Sequence, residues 1–502
     1  MPLWVFSLML LSPVLTSTIS EQIEVLVFLP QNNSFLFSRA RVAPAIRYAQ
    51  QTLQEDGGKF SGFRFNIHFE NSDRTNSALL TLVDQSCGQK PDLILGPVRE
   101  YEAAGVVRLA SYWRIPVISA GALATAFGIK DSEYSHLTRI APSYVKMAET
   151  FKVMFARFDW KSALLVYEDD RQERNCYFTL EGIHQLMEDH LFKIHAVAEE
   201  EPLYTEDILH DIQDSEVVIM CLKADRIREV MLAANRNQLT GGNHVFFNVE
   251  LFNSSAYAAG NGSWRRGDEH DDDARRAFAS LKTITLLRTL KPEFENFSVE
   301  MRKSIERSGL SDCRDCGHVN MFVEGFHDAL LLYALALHDA MKSGYSKKNG
   351  TEVTSRMRNR TFEGIAGQVS MDTNGDRDGD FSVMAMTDVE AGTYEVVANF
   401  FGASGSFQLQ PGFNPDRFTL KGRHEAQPDL PDKPEKSCEL GVSALTGVGV
   451  GAVLGAAMLI AFYFFRKNYR ITIQRRTHGE ERESRKHRQL REDSIRSNFS
   501  AA

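Results

Sequence analysis

Asp92–Ser119, DLILGPVREYEAAGVVRLASYWRIPVIS, reads as strand, helix and strand in succession. DLILGP is a short apolar run that stops at Gly-Pro, as a strand covered on both faces would. Tyr101–Tyr112 repeats apolar residues at helical spacing, and PVIS resumes the strand. A strand that returns to its own sheet through a helix runs parallel to its predecessor, and such sheets are covered by helices on both faces. The rhythm extends outward on both sides. Before it lie IEVLVFLP from Ile23, a helix near Arg41–Leu53, FRFNIHF, and a helix near Ser77–Asp84. After Ala141-Pro142 it restarts with a helix, then SALLVYEDD, a helix near Cys176–Asp189, FKIHAVAE, a helix near Glu206–Ile212, VVIMCL, another helix and HVFFNVEL. A polar, Gly-containing stretch from Asn253 to Asp273 reads as a surface loop. TITLL, helices near Glu293–Ser308 and Met321–Met341, and the strands FEGIAGQVS and DFSVMAMTD follow. The expected fold class is α/β: two lobes joined by crossing segments and hinged about a cleft, an architecture that suits ligand binding.

The flanks predict export and anchoring. Leu3–Leu15 is apolar but too short to span a bilayer, and Ser17, Thr18 and Ser20 follow it, so residues 1–20 read as a signal peptide. Gly441–Phe465, GVSALTGVGVGAVLGAAMLIAFYFF, is uncharged and long enough to cross as a helix. Arg466, Lys467 and Arg470 come directly after it, which predicts a cytoplasmic C-terminus. Residues 21–407 are then the extracellular ligand-binding part, 408–440 a Pro-, Asp- and Lys-rich stalk, and 466–502 a tail. The expected topology is type I and single-pass, at the plasma membrane. Gly447, Gly451 and Gly455 share one helix face and would permit close approach of a second span. Sequons before the span, at Asn32, Asn253, Asn261, Asn296, Asn349 and Asn359, predict glycosylation. Another, at Asn498, lies on the wrong side and shows how readily the pattern arises.

Net charge is −9 over 502 residues, yet the tail holds 11 Lys/Arg against 5 Asp/Glu. The remainder is therefore acidic, which favours cationic ligands, although serum salt weakens that field. No nucleophile elbow, zinc-protease helix motif or phosphate-binding Gly loop is present, and a tail of this length has no room for a kinase or cyclase, so no enzyme is expected. Asp372, Asn374, Asp376 and Asp378 alternate like a calcium loop, but Val383 stands at the twelfth position, and a solvated turn is the expectation. Cys313-Arg-Asp-Cys316 lacks the second pair of a zinc site; in an oxidising compartment a local or intermolecular disulfide is the modest reading, and no metal site is expected.

The two-lobed pattern resembles the periplasmic-binding-protein type I fold. Six segments narrow the resemblance: KDSEYSHLTRIAP (Lys130–Pro142), ERNCYFTLEG (Glu173–Gly182), FNVELFNSS (Phe247–Ser255), VNMFVEGFHDA (Val319–Ala329), NRTFEGIAGQVSMDTNGDR (Asn359–Arg377) and HRQLREDSIRSNFS (His487–Ser500). Together they are similar to the short-tailed natriuretic peptide receptors, the clearance receptor (type C) or its fish relative type D. The resemblance implies a glycosylated, disulfide-bonded dimer that binds ring-shaped natriuretic peptides, internalises them and signals to inhibitory G proteins through the tail, without a cyclase. An orphan adhesion or small-ligand-binding ectodomain of the same fold is the alternative.

By position in the matching segments, Tyr101 and Arg108 would face the peptide from the first lobe and Tyr177, Phe178 and Glu181 from the second; ordinary helix surface or core is the competing reading. The resemblance also implies an intrachain Cys176–Cys221 disulfide and an interchain bond at Cys438. The family's first intrachain pair is absent, because Arg74 and Arg99 stand at its positions, and Cys87 lacks an evident partner. Relatives hold a chloride ion beside that loop, at positions matching Ser72, Val98 and Arg99. An anion between Arg74 and Arg99 would relieve their repulsion, whereas guanidinium groups splayed into water would need none.

Overall fold

A computed structural model describes residues 20–55, 58–251, 264–287, 291–307 and 319–421. The chain divides into a unit of residues 1–427 and a second, 428–502, which lies wholly outside the described residues. The expected signal peptide falls almost entirely outside them as well; the span, tail, Cys313, Cys316 and Cys438 do so completely. No helix among the described residues is long and apolar enough to cross a membrane.

The first lobe begins with β1 (Glu21–Leu29), α1 (Arg39–Leu53), β2 (Phe63–Asn71), α2 (Ser77–Ser86), β3 (Leu93–Leu95), α3 (Glu100–Trp113), β4 (Val117–Ser119) and β5 (Leu137–Pro142). The chain crosses after Pro142 and builds the second lobe from α4 (Tyr144–Phe158), β6 (Ser162–Asp169), α5 (Asn175–Leu186), β7 (Leu191–Ala198), α6 (Thr205–Gln213), β8 (Val217–Cys221), α7 (Ala224–Arg236), β9 (Val245–Val249), α8 (Asp271–Phe278) and β10 (Leu281–Leu286). It returns to the first lobe with α9 (Pro292–Arg307), α10 (Met321–Lys342), α11 (Gly350–Ser355), β11 (Arg360–Glu363), β12 (Gln368–Met371) and β13 (Asp376–Arg377). A last crossing supplies β14 (Asp380–Asp388), β15 (Thr393–Phe401) and β16 (Ser406–Leu409) to the second. The sheets run β11-β12-β13-β5-β4-β3-β1-β2 and β16-β15-β14-β10-β9-β8-β6-β7. Strands β1–β5 pair in parallel, as do β6–β10; β13 joins β5 in parallel, and β11, β12 and β14–β16 add antiparallel edges.

Parallel strands covered on both faces explain the unbroken apolar runs. Val25–Leu29 and Leu93–Leu95 are buried at every position. Each large apolar side chain so buried contributes about 1.5–3 kcal/mol. α10 is buried on most sides, against α1 and the first sheet, and its apolar run is interrupted by His327 and Asp328, whose side chains meet at 2.9 Å. The stretch expected as loop through Asp273 turns helical at Asp271, where three aspartates occupy the first turn and favour the helix N-terminus.

The lobe reaches beyond the expected boundary at 407. Gln408 and Leu409 complete β16, and Phe418, fully buried, stacks on Phe158 with centroids 5.1 Å apart and also packs near Phe247. The Pro/Asp-rich composition signalled a stalk, but two apolar anchors, Phe418 and Leu420, hold this segment to the second lobe.

The crossings pack together. A Cβ on Gly379 would sit 2.6 Å from the Phe381 ring and 2.7 Å from Pro142 Cβ, so only glycine lets the first and last crossings approach this closely. Leu287 N donates to Asp380 O at 2.9 Å, tying in the second. Beside them Lys146 Nζ meets Asp378 at 2.8 Å and Asp372 at 3.1 Å.

Candidate functional site

The first-lobe wall of the candidate site is built by two loops. Val98 O accepts Ala122 N at 2.9 Å, Ser119 Oγ donates to Pro97 O at 2.6 Å, and a Cβ on Gly121 would lie only 2.1 Å from Val98 O. This close packing fixes where α3 starts. Glu100, in its first turn, is buried and accepts Leu123 N at 3.0 Å and Ala124 N at 3.4 Å. Burial pushes its carboxyl up to about 7, against those hydrogen bonds and the field of Arg139.

Arg139 holds the same loop from behind. Its Nη1 donates to the carbonyls of Ala122, Leu123 and Ala124, while Nε and Nη2 each meet the Asp376 carboxylate at 2.7 Å. Lys130 joins Asp376 from the other side, and Arg139 and Lys130 hold that carboxyl well below the usual range although burial opposes its ionisation. Burial lowers the Lys130 ammonium to about 8 despite Asp376. The alternating acids expected in a solvated turn therefore serve elsewhere: Asp376 is buried, Asp378 binds Lys146, and Asp372 Oδ1 accepts Asn374 N and Asp376 N. Among the described residues no acidic, His or Cys cluster could hold a metal ion.

The second-lobe wall is the turn before α5 and that helix's first turns. Arg174 stands at φ +54°, its N–H donating to Asp170 Oδ1 at 2.7 Å and its guanidinium to Asp169 at 3.2 Å. The guanidinium lies 4.1 Å from the Tyr177 ring centroid. Tyr177 packs edge-on against Phe178 and Tyr167 at 5.2 and 5.7 Å. The Cys176–Cys221 disulfide joins the start of α5 to the end of β8, as expected.

These walls meet. Tyr101 packs against Phe178 with centroids 6.2 Å apart, Thr125 Oγ1 donates to Glu181 at 3.4 Å, and Arg99 Nε lies 2.6 Å from Glu173. The structure therefore brings together Tyr101, Tyr177, Phe178 and Glu181, four of the five expected peptide-facing residues. Tyr101 remains 43% exposed. Arg108, two helical turns further on, is held by Glu133 at 2.7 Å and lies 5.0 Å from the Tyr134 ring. Sequence reading missed Glu173, Arg174 and Tyr167; the charged pair ahead of Cys176 was the available signal.

Ser72 and Val98 are buried beside this wall. Arg74 is exposed, and Arg99 instead reaches Asp73 O at 3.1 Å and Glu102 at 3.2 Å as well as Glu173. The expected Arg74–Arg99 conflict is thus absent: carboxylates already balance Arg99. Asn32, Asn296, Asn349 and Asn359 are exposed, while Asn253 and Asn261 lie outside the described residues. Cys87 is exposed and outside any disulfide.

Two α/β lobes joined by three crossings, with an aromatic cluster where they meet, fit a ligand-binding receptor domain, and the model for the receptor family ligand binding region matches residues 41–389. The human protein called atrial natriuretic peptide receptor 3 is 55% identical over 96% of this chain and 91% of its own length. The rat protein of that name is 54% identical over 96% and 92%. Mouse atrial natriuretic peptide receptor 2 is 30% identical over 89% of this chain but only 44% of its own length. The chain belongs to the natriuretic peptide receptor family, and its strong full-length similarity is to the type 3, or clearance, receptors.

Proposed function

We propose that the chain is a single-pass cell-surface receptor that binds natriuretic peptides at the cleft, clears them by internalisation and signals through inhibitory G proteins, with no catalysis of its own. The aromatic cluster joining Tyr101 to Tyr177 and Phe178 carries this reading, because a flexible cationic peptide gains most from rigid aromatic faces near carboxylates such as Glu181. Residues 1–20 would direct export, 441–465 anchor the chain, Cys438 link two copies, and the exposed sequons carry glycans. Residues 466–502, basic from Arg475-Arg476 onward, would contact the G protein. A chloride ion near Ser72, Val98 and Arg99 rests on the family resemblance alone. The direct test is binding of a labelled natriuretic peptide to cells expressing the receptor, followed by acid-resistant uptake at 37 °C. Saturable binding and uptake are expected; an adhesion or small-ligand receptor would show neither. A synthetic Arg475–Ala502 peptide that alters inhibitory G-protein nucleotide exchange no more than its scrambled control would end the signalling part.

A further inference from the structure

We propose that Arg99 and Glu173 form a clamp across the cleft that sets the spacing and register of the two peptide-facing segments, a positioning role that rests on the peptide-receptor reading above. Arg99 stands at the N-cap of α3, two residues before Tyr101; Glu173 directly precedes Arg174, which packs on Tyr177. Their 2.6 Å contact therefore joins the two lobes at the point where both binding segments begin.

The contact is asymmetric. Arg99 is anchored within its own lobe by the Asp73 carbonyl at 3.1 Å, Glu102 at 3.2 Å and the Phe35 ring at 5.3 Å. Its planar fork reaches several partners together, as a Lys ammonium could not. Opening the cleft thus leaves no bare cation on the first lobe. Glu173 has Arg99 as its cationic partner among the described residues, and its other near charges, Glu102 and Asp170, repel it. Desolvation against attraction leaves a partly buried pair close to balance, which suits a contact made and broken as lobes move. Two further ties lie alongside: the Tyr101 ring packs on Phe178, and Thr125 Oγ1 donates to Glu181 at 3.4 Å. With Arg99 and Glu173 apart, the aromatic faces would be left to those two weaker contacts for their register.

The test is a double-mutant cycle for peptide affinity and dissociation rate on the full-length receptor at the cell surface, with R99Q, E173Q and R99Q/E173Q. Each single change is expected to weaken binding about tenfold through faster dissociation, and the double change also about tenfold, because both remove one contact. E173D, which keeps the charge but falls short of Arg99, is expected to behave as E173Q does; full rescue by E173D would assign the effect to charge alone and overturn the clamp. A hundredfold loss in the double variant, or unchanged affinity in E173Q, would also overturn it. Should R99Q fail to reach the surface, E173Q decides, since Arg99 keeps its first-lobe partners there. A wild-type receptor that binds no natriuretic peptide would instead remove the reading on which the clamp rests.

Discussion

Replacing Glu100 by Gln should stabilise the ectodomain at alkaline pH and weaken it at acid pH. The carboxyl is buried at the base of α3 and raised from 4.5 to about 7 by that burial. A carboxyl raised on folding favours the fold once protonated and opposes it once ionised, so its cost is absent below about 4.5 and complete above about 7. At about 1.4 kcal/mol per pH unit, full ionisation costs the fold about 3 kcal/mol. Gln is neutral throughout and escapes that cost. It retains one good acceptor for Leu123 N but loses the longer bond from Ala124 N, a loss of about 1 kcal/mol. The variant should therefore be more stable than wild type by about 2 kcal/mol at pH 8.5 and less stable by about 1 kcal/mol near pH 4.5. Urea unfolding of both proteins across this range measures the difference directly, and other raised carboxyls such as Glu149 largely cancel in it. A difference that stays constant with pH would refute the assignment of Glu100 as a buried carboxyl that resists ionisation.

Reduction-proof loss of the Cys176–Cys221 bond, by C176S/C221S, should cost about 4 kcal/mol for a closed loop of 45 residues in the chain-entropy model and lower the thermal midpoint. Asp376→Asn leaves Arg139 and Lys130 buried without their carboxylate and should cost about 3–5 kcal/mol, read as poor surface expression and a lower urea midpoint. Gly379→Ala must push Phe381 or Pro142 aside and should cost about 1–3 kcal/mol while reducing peptide affinity through the displaced crossing. Cys438→Ser should convert a covalent dimer to monomer on non-reducing gels; a persistent reducible oligomer would move the cross-link to Cys87, Cys313 or Cys316.

Much of the fold was legible because parallel strands and their crossover helices leave strong local signatures. VLVFL (25–29), LIL (93–95) and VVIMCL are apolar throughout because both sheet faces are covered, and α3 and α10 lie close to their expected bounds. The route between lobes was not legible. Nothing local in TITLL or FEGIAGQVS says which sheet it joins, because sheet membership is set by long-range pairing. The segment 408–421 misled for a related reason: two apolar residues in a Pro- and Asp-rich stretch look incidental until Phe418 is seen stacked on Phe158. At the site, the aromatic residues were legible through the resemblance. The charges that position them were not, because Arg99, Glu173, Arg139 and Asp376 are far apart in sequence and resemble solvated surface residues until their burial is known.

These charges also form a path from hinge to site. Lys146 ties α4, just after the first crossing, to Asp372 and Asp378 just before the last. Asp376, between those two acids, fixes Arg139; Arg139 fixes the carbonyls of 122–124; and the N–H groups of Leu123 and Ala124 fix Glu100, next to Arg99 and Tyr101. Each step off the backbone is a hydrogen bond or ion pair, so a displacement of the last crossing at Gly379 would be felt at the start of α3 rather than absorbed by soft packing. The path has a weak member. Burial raises the Glu100 carboxyl to about 7, whereas Arg139 and Lys130 hold the Asp376 carboxyl well below the usual range. Coupling between peptide and hinge should therefore vary with pH through Glu100, while the integrity of the Arg139–Asp376 pair should not.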